Sequence, residues 1–109
     1  MKINDYYTAG GKNLIKEFLS SLPKEELKEG YRIRHCLKQY GLSALNNLDT
    51  RQLKGKLHEI KFSKNRVMYI LKDAENIFFL HACKKQKGKA EKFEIEKAIR
   101  RAKETNLKI

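Results

Sequence analysis

Lys56-Leu-His-Glu-Ile-Lys-Phe62, Arg66-Val-Met-Tyr-Ile-Leu-Lys72 and Asn76-Ile-Phe-Phe-Leu-His-Ala-Cys83 follow one another with only Ser63–Asn65 and Asp73–Glu75 between them. Each run is rich in β-branched and aromatic residues, which suit a pleated, half-buried surface. Links this short join antiparallel neighbours, because a parallel crossover needs about a dozen residues or more. The segment therefore predicts an antiparallel sheet at the centre of the fold. Upstream, Leu42 to Gly55 reads as a loop, with Asn46-Asn47 and Asp49-Thr50 as turn chemistry. Before it, Leu27, Tyr31, Ile33, Cys36, Leu37 and Tyr40 recur at helical spacing and predict a helix that stops at Gly41. Pro23 suits the first turn of that helix, with Glu25 and Glu26 placed where the helix dipole favours anions. Gly30 in its interior costs about 1 kcal/mol relative to Ala. Leu14, Ile15, Phe18 and Leu19 predict an earlier helix over Lys12–Ser21, and Lys2–Thr8 a short strand. Downstream, Phe93, Ile95, Ala98, Ile99 and Ala102 predict a helix over Ala90–Thr105. The fold class is α+β: one domain over residues 1–109, with two N-terminal helices packed on a small curved antiparallel sheet and a C-terminal helix.

The net charge of +12 exceeds what solubility asks for and favours a polyanionic partner. The charge is uneven: residues 53–109 hold sixteen Lys/Arg against seven Asp/Glu, and residues 1–52 hold nine against six. Lys84, Lys85, Lys87 and Lys89 crowd the end of the last strand. No apolar run reaches the ~18 residues of a membrane span, and the basic C-terminal helix has few spare hydrophobes for a lipid surface. Two cysteines do not make a disulfide framework, and Met1-Lys-Ile-Asn-Asp-Tyr-Tyr carries no signal-peptide pattern, so a cytoplasmic location is expected.

Alternation sets Glu59 and Lys61 on one face of their strand and His58, Ile60 and Phe62 on the other. A four-residue loop, Phe62–Asn65, pairs Lys61 with Arg66 on one face, whereas a three-residue loop separates them. The first is favoured because Arg66 on the core face would be a poorly paired buried charge. Should Lys61, Arg66 and Lys85 converge, they can serve RNA cleavage by the RNA's own 2′-OH. Arginine clamps the phosphate, and a lysine crowded by cations acts as base or charge stabiliser. Glu59 orients a cation or moves a proton itself. The bland counterpart is a set of solvated strand charges that blunt an edge. His35, His58, His81, Cys36 and Cys83 show no metal-ligand spacing, so no metal or other cofactor is expected. His58 reads as a packed residue, while His81 near its strand end could reach the basic site. Gly10-Gly-Lys12 lacks the following Ser/Thr of a phosphate loop and reads as a turn.

Glu17-Phe-Leu-Ser-Ser-Leu-Pro23, Gln39-Tyr-Gly41, Leu53–Phe62, Asn65–Ile70, Ile77–Gln86 and Glu94-Ile-Glu-Lys-Ala98 stand in an order that resembles the RelE/HigB toxin superfamily. The likeness is to its phage-derived, HigB-like branch. That resemblance implies the toxin of a type II toxin–antitoxin pair, a ribosome-dependent and metal-independent mRNA endoribonuclease. It implies as partners a cognate helix-turn-helix, HigA-like antitoxin, the ribosome and mRNA, with operator DNA reached only through the antitoxin complex. By position, Arg66 matches the strand arginine that steadies the scissile phosphate, Lys61 a basic residue of the preceding strand, and Lys84 and Lys85 the basic pair after the last strand. The catalytic set is thus Arg66, Lys61, Lys85 and Glu59. RNA contacts are expected from Lys84, Lys87, Lys89, Lys56, Arg100 and Arg101. The family's late Tyr or His is missing, since residues 90–109 hold neither, so no general acid is assigned. The same fold also serves gyrase-directed toxins, and a basic RNA binder without cleavage is the other alternative.

Overall fold

The three central strands form where their apolar runs predict them. The computed structural model describes residues 1–109. Strands β1 (Lys2–Asp5), β2 (Asp49–Lys54), β3 (Leu57–Phe62), β4 (Asn65–Asp73) and β5 (Asn76–Lys84) make one sheet in the order β1-β5-β4-β3-β2. The helices are α1 (Leu14–Ser20), α2 (Lys24–Tyr40), the one-turn α3 (Leu42–Leu45) and α4 (Gly88–Glu104). The class is α+β, as expected. Two differences stand out. The sheet is mixed, because β1 runs parallel to β5 at its edge. Part of the expected loop Leu42–Gly55 is regular structure, α3 and the edge strand β2.

Both faces of the sheet are covered. On one, α1 and α2 pack Ile15, Leu19, Ile33 and Leu37 against Ile60, Phe62, Val67, Tyr69, Ile77 and Phe79. Asn13 caps α1, its Oδ1 accepting from the amides of Ile15 and Lys16. Its Nδ2 donates to Asp5, which also forms a two-pronged pair with Arg34 of α2 at 2.7 and 2.9 Å. That buried, fully paired cluster ties β1, α1 and α2 together. On the other face, α4 lays Ala98 and Ala102 on Leu57, Met68, Ile70 and Leu80. One end of that face, where Lys61, Arg66 and Cys83 stand, is left as a pocket.

Gly30 now has a reason. A Cβ there would lie 2.7 Å from Leu19 Cδ2 and 3.4 Å from Phe62 Cζ, so α2 approaches α1 and the sheet too closely for alanine.

Candidate active site

The open end of the sheet is built by register. Lys61 pairs with Arg66 across β3 and β4, and pairing continues to Phe62 and Asn65, leaving a two-residue turn, Ser63-Lys64. Ser63 adopts φ 53, the left-handed geometry such hairpin turns require. The favoured register therefore holds. Two rows of side chains cross the open face: Asp49, Lys61, Arg66 and Cys83, then Arg51, Glu59, Met68 and His81. His81 joins its row through a β-bulge. Tyr69 pairs with Phe79 and Met68 with His81, so Leu80 is the extra residue. Strict alternation would have set His81 beside Phe79 on the opposite face.

These rows, the Lys84–Lys87 segment and the first turns of α4 enclose a pocket of about 270 Å³. Six basic side chains (Arg51, Lys61, Arg66, Lys84, Lys85 and Lys87) and three carboxylates (Glu59, Glu91 and Glu94) line it, so it attracts anions. Lys61, Lys85 and Lys87 form no ion pair within the chain and are free for a ligand. Arg66 is nearly buried, and its Nη1 donates to Asn65 O at 2.8 Å. Glu59 lies in the floor at 2% exposure, with Arg51 Nε at 2.9 Å and Arg66 Nε at 3.8 Å from its Oε2. Neither N–H is aligned on that oxygen, so Oε2 is a buried acceptor without a hydrogen-bond partner, while the Glu59 carboxylate as a whole borders the pocket.

Beside this floor lies a second cluster, of which Cys83 and Glu94 also line the pocket. His81 Nε2 meets Glu94 Oε2, and His81 Nδ1 faces Arg101 Nη1 at 3.0 Å. Arginine only donates, so we assign Nδ1 as acceptor and Nε2 as the protonated nitrogen, giving a neutral imidazole. Burial holds the His81 pKa below its ordinary value, and Arg101 and Lys97 add to this against the opposing pull of Glu94. For Glu94, burial opposes ionisation, yet hydrogen bonds from His81 and Cys83 outweigh it and hold its pKa down. Burial, with Glu94 and Glu59 nearby, pushes the Cys83 thiol up to about 12, so it is no nucleophile. The donor atoms of His81, Cys83 and Glu94 lie within 4.8 Å of one another, a spacing a metal ion could use. Their hydrogen bonds do not suit one. A liganding His81 Nε2 would need Nδ1–H to face an acceptor, and Arg101 is a donor.

Residues 17–103 match the family described as Phage derived protein Gp49-like (DUF891). The chain belongs to that family. It is a family associated with the toxins of toxin–antitoxin pairs. No curated protein matches the chain. No helix is long and apolar enough to cross a membrane.

Within this Gp49-like chain, all four expected catalytic residues, Arg66, Lys61, Lys85 and Glu59, line one pocket. The residues expected to touch RNA divide. Lys87 stands on the pocket wall. Lys84 reaches its rim, but its ammonium turns to the other face, 2.9 Å from Asn65 Oδ1 and 3.6 Å from Glu26. Lys89 and Arg100 are exposed outside the pocket, and Lys56 lines a separate groove with Ile70 and Lys108. Arg101 is engaged inside the molecule, by Leu80 O at 3.0 Å, His81 and the face of Tyr6. Arg51, Glu91 and Glu94 were not among the expected residues. Arg51 lies on β2, whose polar, exposed sequence carries no apolar alternation, and the two glutamates read only as polar helix positions.

Proposed function

We propose that this protein is a toxin of the RelE/HigB type that cuts mRNA on the ribosome without a metal, and that a cognate antitoxin holds it inactive. The supporting observation is the convergence of Lys61, Arg66 and Lys85 around the Glu59 carboxylate in one pocket. A phosphodiester in the pocket meets the Arg66 guanidinium through two non-bridging oxygens, with the Lys61 ammonium beside them. The Glu59 carboxylate accepts the proton of the neighbouring 2′-OH. The 2′-oxygen then bonds to phosphorus, the bond from phosphorus to the 5′-oxygen breaks, and the Lys85 ammonium gives that oxygen a proton. The products are a 2′,3′-cyclic phosphate and a 5′-hydroxyl. The cations act where charge gathers in the transition state, commonly the largest part of such catalysis. Glu59 is given the base role ahead of Lys61 because a carboxylate in the pocket floor can accept a proton, whereas a lysine ammonium has only donors.

The test is a translating extract supplied with the protein, its mRNA mapped by primer extension. New 5′ ends inside the reading frame support cleavage, and their loss on adding a co-encoded helix-turn-helix partner supports the antitoxin. Translation arrest with intact message would overturn the nuclease reading, and relaxed plasmid DNA in the same extract would move the target to gyrase.

A further inference from the structure

Glu59 is a buried carboxylate, and such a group is costly unless a cation stands against it. The two nearby guanidiniums are not equivalent. Arg66 stands at 3.8 Å and commits Nη1 to the Asn65 carbonyl. Arg51 lies opposite Glu59 in the β2–β3 register and approaches to 2.9 Å. Its Nη2 also donates to Glu91 Oε1 at 3.1 Å, in the first turn of α4. One guanidinium thus spans the pocket floor and the helix wall. The Arg51 side chain is 44% exposed on an edge strand, so its place here is not set by core packing.

We propose that Arg51 is a positioning residue: braced by Glu91, it fixes the Glu59 carboxylate so that one lone pair faces the bound RNA, and it leaves Arg66 free for the phosphate. This rests on the cleavage reading above. Burial works against the charged Arg51 guanidinium, but Glu91 and Glu59 outweigh it and push its pKa up, as expected of a cation held between two carboxylates. Arg51 acts through Glu59 and makes no required contact with RNA.

The test is a double-variant cycle with R51Q, E59Q and R51Q/E59Q, plus R51K, following cleavage of a ribosome-bound message. R51Q is expected to lower kcat by about 10- to 100-fold while KM changes less than about twofold, as for an interaction felt only in the reacting complex. R51Q/E59Q should be no slower than E59Q alone, because residues acting as one unit are not additive. R51K, which keeps the charge, should recover part of the rate. Multiplied losses in the double variant, or a raised KM with kcat intact, would overturn the positioning role. Wild-type cleavage with multiplied losses sinks this inference alone; a wild-type protein that cuts nothing sinks the cleavage reading and this one with it.

Discussion

Arg66 is the side chain on which the pocket turns, because it pairs across the strands with Lys61 and its guanidinium stands 3.8 Å from Glu59. R66A should fold, since the side chain lines the pocket and packs in neither apolar core, yet lower cleavage by about 10²- to 10³-fold, the scale for losing one preorganised donor. R66K should not restore the rate, because an ammonium lacks the two-pronged fit to phosphate oxygens. Single-turnover rates on ribosome-bound message measure both. His81 carries a different prediction. Its folded-state pKa lies below the ordinary 6.5, so on acidification the unfolded chain takes up the proton first. The stability it contributes is complete above 6.5 and drains away as pH falls from there through the folded value. Melting temperature should therefore drop between about pH 7 and pH 5, and H81Q should flatten that part of the curve. An unchanged slope in H81Q would show that the buried Arg101–His81–Glu94 chain is not what titrates.

At the scale of elements, Gly30 marks where α2 presses on α1 and β3. G30A gains about 1 kcal/mol of helix propensity but overpacks Leu19 and Phe62, which costs about 1–3 kcal/mol. A lowered unfolding midpoint in urea is expected; a raised one would mean that Leu19 yields freely. The same elements show what could be read in advance. β3, β4 and β5 were legible because their apolar content and tight links admit one arrangement, and those strands carry Glu59, Lys61 and Arg66. The N-terminal strand was legible, but its parallel pairing with β5 was not, since residues far apart in sequence decide it. β2 was illegible because an exposed edge strand buries little and so shows no alternation. With β2 went Arg51. The bulge at Leu80 was hidden too, since one extra residue leaves composition unchanged while turning His81 to the other face.

For the whole molecule, the +12 charge and the open end of a sheet otherwise covered on both faces favour a polyanionic partner. About six phosphate contacts would make RNA affinity fall by roughly three orders of magnitude between about 50 and 200 mM salt. Filter binding across that range measures the slope, and a flat response would point to a protein target. The proposed chemistry uses the RNA's own 2′-OH as nucleophile. The chemistry of the cut end reports on it directly. Upstream fragments recovered from a translating extract should carry 2′,3′-cyclic phosphates, and none should form with R66A. Fragments ending in a 3′-hydroxyl, or cyclic ends that persist unchanged in R66A, would contradict it.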